Sequence, residues 1–264
     1  MPLDVCRTTP QAVATVDGWP INIPNLNSAI SQIIQTAKQS EGFAVFTLNL
    51  DHLDKLRRSA SFRHAYAKAK YVTADGAPVA LLASRQGTRV ERTTGSDLVL
   101  PLAAAAARES ISIYLYGTAP HILASATLTL KQHAGFNLII AGTESPALGF
   151  EPDGSDAEAA LDRIEASGAK LCLVALGAPK QELFAARAIE RGTKVGFICI
   201  GAGLDFLSGA QIRAPKFMQS YGLEWLWRLA YSPRRLASRY FRCAMLLADL
   251  MLLLSRRITA EEIN

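Results

Sequence analysis

Six short apolar runs constrain this chain more than any other feature. They are Ala44–Leu48, Tyr71–Thr73, Ser112–Tyr116, Leu138–Ala141, Leu171–Leu176 and Val195–Ile200. Runs of this length with no alternating polar face read as strands of a sheet covered on both sides. Between them lie segments with helical periodicity: Asn25–Gln39, Pro78–Arg85, Ser96–Arg108, Pro120–His133, Ser155–Ser167 and Lys180–Arg191. Strand and helix in alternation predict a parallel sheet, because parallel neighbours need a crossover and a helix supplies it. Val13–Ile23, with Asp17-Gly18 at its centre, is predicted to be a small hairpin. The α/β reading fits a chain of 264 residues, half of them hydrophobic, which can bury a substantial core.

Four of the predicted strands run into glycine: Gly117, Gly142, Gly177 and Gly201, the last as Gly201-Ala202-Gly203. In an open parallel sheet the ligand crevice lies outside the carboxyl ends of the strands. Glycine there lets a ligand approach the backbone, and helix N-termini offer N–H groups to phosphate. The alternative is that these glycines only make tight turns.

The charge is uneven. The net +5 falls entirely in residues 211–264, which hold nine Lys/Arg against four Asp/Glu. A boundary near residue 210 therefore separates a neutral α/β part, 1–210, from a basic helical tail. The tail is predicted to hold one helix over Ala214–Arg228 and a second over about 234–257. The second carries an apolar stripe of Leu236, Tyr240, Cys243, Leu247, Leu250 and Leu254, with Arg235, Arg239 and Arg242 on a neighbouring face. A basic amphipathic helix suits an anionic membrane surface; a partner helix or core packing are the other options. Its longest apolar stretch, Cys243 to Leu254, is too short to span a bilayer, which takes roughly 20 residues. Met1 to Gln11 lacks the apolar segment of a secretory signal. Cys6, Cys172, Cys199 and Cys243 form no CxxC pair, so neither a zinc site nor a disulfide framework is suggested, and Cys172 and Cys199 read as buried thiols in a reducing compartment.

Several chemistries are missing their motifs. There is no GxxxxGK[ST] phosphate loop, no HExxH and no GxSxG elbow. The dinucleotide fingerprint begun at Gly201 fails at Phe206, which disfavours a nucleotide-dependent oxidoreductase. No Asp-x-Asp pair is present to hold a divalent metal, so a diphosphate leaving group would be neutralised by cationic side chains and backbone N–H groups.

Taken together, five segments resemble the WecG/TagA/CpsF glycosyltransferase family, glycosyltransferase family 26. They are Thr47-Leu48-Asn49; Ala74-Asp75-Gly76; Thr94-Gly95-Ser96-Asp97; Ala175 through Glu182; and Gly201 through Pro215, continued by Gly222 through Leu229. They occur in family order over about residues 15–242. The resemblance implies a Rossmann-like parallel sheet core with helices on both faces and a C-terminal helical appendage that binds the membrane. It implies an inverting, metal-independent transfer of a sugar from UDP-glucose, UDP-ManNAc or UDP-ManNAcA to a polyprenyl-diphosphate-linked monosaccharide. The setting would be the inner face of the cytoplasmic membrane, in cell-surface polysaccharide synthesis, with self-association off the membrane and no cofactor. A non-catalytic sugar-nucleotide sensor or scaffold on the same fold is the competing reading; nucleic acid is disfavoured as a partner.

The resemblance assigns roles residue by residue. Asp75 matches the general base that takes the acceptor proton; without the resemblance it reads as an N-cap of the next helix. Thr47 and Asn49 match polar positions that orient the acceptor, the base or the donor. Gln181, and with it Lys180 and Gly177, falls near the donor sugar and diphosphate, although capping would also explain Gln181. Asp205 matches a nucleoside contact, beside Gly117, Gly142 and Gly201. Asp97 would touch sugar or acceptor, or else sit in the first turn of its helix. Arg228, Arg235 and Arg239 would grip diphosphate, since an arginine offers a fixed fork of donors.

Overall fold

A computed structural model of the chain describes residues 10–262; the side chains of Ser220, Arg235 and residues 255–262 lie outside that description. The predicted hairpin is present, with β1 (Ala14–Val16) antiparallel to β2 (Trp19–Ile21) about Asp17-Gly18. Then come α1 (Leu26–Lys38), β3 (Phe43–Leu48), α2 (Leu50–Arg58), α3 (Ala60–Tyr66), β4 (Tyr71–Ala74), α4 (Ala77–Ser84), α5 (Gly95–Arg108) and β5 (Ile113–Gly117). The chain continues through α6 (Pro120–Ala134), β6 (Ile140–Glu144), α7 (Ser155–Ala166), β7 (Leu171–Ala175), α8 (Lys180–Glu190), β8 (Gly196–Cys199) and α9 (Gly203–Leu207). It closes with α10 (Lys216–Ser220), α11 (Glu224–Tyr231) and α12 (Pro233–Glu262).

Strands β3 to β8 form one six-stranded sheet in the order β4-β3-β8-β7-β5-β6, with every pairing parallel. Successive side chains of a strand point to opposite faces. Ala44, Phe46, Leu48, Cys172 and Val174 therefore join one core layer, with α2, α3, α7 and α8. Val45, Leu171, Leu173 and Ile198 join the other, with α1, α5, α6 and α9. Burial on both faces explains why these strands read as unbroken apolar runs. Cys172, Cys199 and Cys243 are buried free thiols; Cys6 lies outside the described residues.

Four expectations need correction. Gly142 does not end a strand: β6 starts two residues later than predicted and runs through it to Glu144. This edge strand pairs on one side only and shifts register against β5 between Ile113 and Tyr114, so its apolar run does not mark its limits. Helices α2 and α3, unpredicted, fill the β3-to-β4 crossover. The expected helix Ala214–Arg228 is two helices, broken where Gly222 takes φ +70°. Finally, the stripe on α12 faces protein. Leu236, Cys243, Leu246 and Leu250 are buried, and Leu246 and Leu250 share a core layer with Leu53 and Leu56 of α2. A different set, including Phe241, Met245, Leu252 and Leu253, is exposed. Among the described residues no helix is long and apolar enough to cross a membrane.

All six strands point the same way, so their carboxyl ends share one edge, where α5 packs against the end of β8. A Cβ on Gly95 would stand 2.7 Å from the Cα of Ile200 and 2.9 Å from its carbonyl oxygen, both backbone atoms that cannot rotate away. Gly95→Ala is expected to destabilise the protein by about 1–3 kcal/mol. The check is a lower denaturant midpoint at unchanged slope.

Candidate active site

Asp75 leaves β4 at this edge. Its backbone N–H donates to the carbonyl of Leu48 at 2.8 Å, which fixes it beside the end of β3. The cap of α4 is Gly76, at φ +90° and with no side-chain capping bond, so the capping alternative for Asp75 does not hold. Instead its Oδ2 accepts from Asn49 Nδ2 at 3.2 Å and, at the limit of bonding, from Thr47 Oγ1 at 3.5 Å. Asn49 does two things at once: its Oδ1 caps α2 by accepting from the backbone N–H of His52 at 2.9 Å. Burial is the largest influence on the Asp75 carboxyl and raises its pKa to about 6, against opposing pulls from the Asn49 bond and the charges of Arg228 and Arg92. A carboxylate made more basic in this way, at the carboxyl edge of the sheet, suits proton abstraction.

Gln181 is buried at the start of α8. It is 3% exposed. Its Oε1 accepts from the N–H of Gly201 at 3.0 Å, and its Nε2 donates to Glu182 Oε1 at 2.7 Å. It thereby ties the start of α8 to the loop after β8. Glu182 is fully buried; burial raises its pKa to about 7, and its Oε2 has no hydrogen-bond partner. His52 Nε2 lies 3.7 Å from Glu182, and its Nδ1 meets the Tyr66 hydroxyl at 2.7 Å. Burial lowers the His52 pKa to about 3, so the imidazole is neutral.

Asp205, on α9, accepts from Thr118 Oγ1 at 3.2 Å, and Thr118 follows Gly117 at the end of β5. Gly117 and Gly142 have packing reasons of their own. A Cβ at Gly117 would meet the Ala175 carbonyl oxygen, and one at Gly142 the Tyr114 ring, each at 2.4 Å. Gly177 and Gly201, by contrast, have open space where a Cβ would stand. Lys180 binds the Phe150 carbonyl and pairs with Glu151 at 3.5 Å, both in the loop that leads from β6 to α7.

The appendage arginines part company. Arg228, on α11, lies over the Phe206 ring at 5.6 Å, and its charge acts on Asp75. Arg239 instead pairs with Asp51 of α2 at 3.0 Å, and Arg242 with Asp54 at 3.2 Å. The side chain of Arg235 lies outside the described residues. Asp97 forms a capping box with Thr94 and binds Arg213 at 2.5 Å. Burial pushes its carboxyl upward, but Arg213 and Arg92 outweigh that and leave it below the ordinary range.

The sequence reading missed His52, Tyr66, Arg92, Arg213 and the partnerships of Glu182 and Glu224. Three of these, Glu182, Arg213 and Glu224, lie inside the motif segments quoted for the resemblance, so a signal was present. His52 had none, because its partners on α3 and α8 meet it only in the fold.

The raised pKa of Asp75 has a stability consequence. The fold favours the neutral carboxyl, so the stabilisation is complete below about pH 4 and is lost as pH rises through about 6. Asp75→Asn is expected to stabilise the protein by on the order of 1–2 kcal/mol at pH 7.5 and by little at pH 4. Thermal unfolding at the two pH values checks it; equal effects at both would remove the raised pKa.

A model of the glycosyl transferase WecG/TagA/CpsF family matches residues 14–261, nearly the whole chain, and the chain belongs to that family.

Proposed function

We propose that this glycosyltransferase inverts the anomeric centre of a UDP-sugar and uses Asp75 as its base. The observation that carries the reading is the Asp75 carboxyl itself. It is freed from helix capping, held by Asn49 and Thr47, raised to about 6 by burial, and approached by Arg228 from the appendage. In the proposed step an acceptor hydroxyl oxygen bonds to the anomeric carbon while the bond from that carbon to the diphosphate oxygen breaks. UDP leaves with the electron pair, and the acceptor proton passes to Asp75. Arg228 offsets the charge developing on the diphosphate, with no metal in that role. Asp205, Thr118 and the open backbone at Gly201 line the nucleoside side; Gln181 holds that loop in place.

The acceptor in this reading is a monosaccharide on a polyprenyl diphosphate, in cell-surface polysaccharide synthesis at the inner face of the cytoplasmic membrane. Surface chemistry supports it. Ten of the fifteen exposed large apolar side chains among the described residues fall after residue 211, among them Phe217, Trp225, Phe241 and Met245. Exposed Arg234 and Arg242 accompany them. Apolar and aromatic groups beside cations suit an anionic lipid interface.

Purified protein should release UDP from one member of a UDP-sugar panel when a short-chain polyprenyl-diphosphate sugar is present, and EDTA should not stop it. UDP binding without release from any donor would favour the sensor reading. The kcat/KM profile should fall on the acid side with an inflection near pH 6. Asn49→Ser keeps a capping oxygen but loses the bond that favours the Asp75 carboxylate, so the inflection should move to higher pH. Phe241→Glu with Met245→Glu should weaken sedimentation with anionic vesicles several-fold and leave transfer to a water-soluble acceptor intact.

A further inference from the structure

The transferase reading leaves four charged residues without a task. Arg92, in the loop before α5, and Asp97, in the first turn of α5, belong to the core. Arg213 and Glu224 belong to the appendage. Arg213 meets Asp97 at 2.5 Å and Glu224 at 3.4 Å. Arg92 meets Glu224 at 3.1 Å and Asp97 at 3.5 Å. Each acid therefore touches both arginines, and each side of the junction contributes one cation and one anion. Their side chains are 20–28% exposed, so these pairs are screened less than open surface pairs.

Contacts on either side give the cluster a consequence. Gly222, two residues before Glu224, seats against the start of α4: a Cβ there would stand 2.7 Å from the Cβ of Ala77, which lies two residues beyond Asp75. Glu224 and Arg228 are four residues apart on α11, one turn along the same face. The charges of Arg228, Glu224 and Arg92 all act on Asp75. The clasp thus grips α11 one turn from Arg228.

We propose that Glu224, held by Arg92 and Arg213, is a positioning residue that sets Arg228 near Asp75, so that transfer requires this four-residue clasp to be closed. The proposal rests on the transferase reading above. Glu224 touches neither substrate nor base; it acts through the placement of α11.

The test uses the full-length protein with Glu224→Gln, Arg92→Gln and the double variant. Amide hydrogen exchange across residues 224–231 should quicken about tenfold in Glu224→Gln, while exchange in β7 and β8 stays at the wild-type rate. Acceptor-dependent kcat should fall at least tenfold with the donor KM within twofold. The double variant should be no slower than Glu224→Gln, because both substitutions open the same contact. Unchanged exchange in α11, a loosened α11 with unchanged kcat, or losses that multiply in the double variant would each overturn the proposal. The exchange arm needs no substrate. A wild-type protein that turns over no donor would sink the transferase reading, whereas wild-type exchange in Glu224→Gln would sink the clasp.

Discussion

Parallel pairing is the constraint on which everything else in this molecule depends. A strand that must run beside its neighbour in the same direction has to be carried back by a crossover, and here helices supply it on both faces. The strands then lose water on both sides and become apolar throughout. Their carboxyl ends fall on one edge, and polar residues that follow neighbouring strands meet there. Thr47 and Asn49 reach Asp75 because β3 pairs with β4, Thr47 opposite Thr73 and Leu48 opposite Ala74. Gln181 reaches Gly201 because β7 pairs with β8. The site is a product of register before it is a product of chemistry.

The same logic explains what could be read in the sequence. Burial on two faces leaves a signature that needs no partner to interpret, and so β3, β5, β7 and β8 stood out as apolar runs. The edge strand β6 has no such cover, and its predicted limits slipped. Helix α2 carries Leu50, Leu53 and Leu56 among charged residues, a weak signal over nine positions. Gly222 was read through rather than as a break, although its positive φ divides α10 from α11. At the site, Asp75 and Asn49 were legible through the motif resemblance, since their places after strand ends alone fit a helix cap or a turn equally well. The pairing of Arg92 with Glu224 joins residues 132 apart, and no local pattern announces it.

The appendage shows how one helix surface can be divided. The stripe on α12 that reads as a lipid-facing seam is occupied by α2, and Arg239 and the exposed Arg242 pair with Asp51 and Asp54 of that helix. Basic residues in this segment therefore serve the fold as well as the surface. Periodicity identifies an apolar face, but it does not say what lies against that face; here a neighbouring helix decided the matter.

Asn49 sets a narrow limit on change. One end of its side chain accepts from the backbone and the other donates to a carboxylate. Serine, threonine and aspartate can take over the first contact, but none offers a second donor from the same fork; glutamine has the fork on a longer stem. The residue alphabet available at position 49 is thus close to a single letter. A substitution there is penalised through helix α2 and through Asp75 together, which couples the end of β3 to the end of β4.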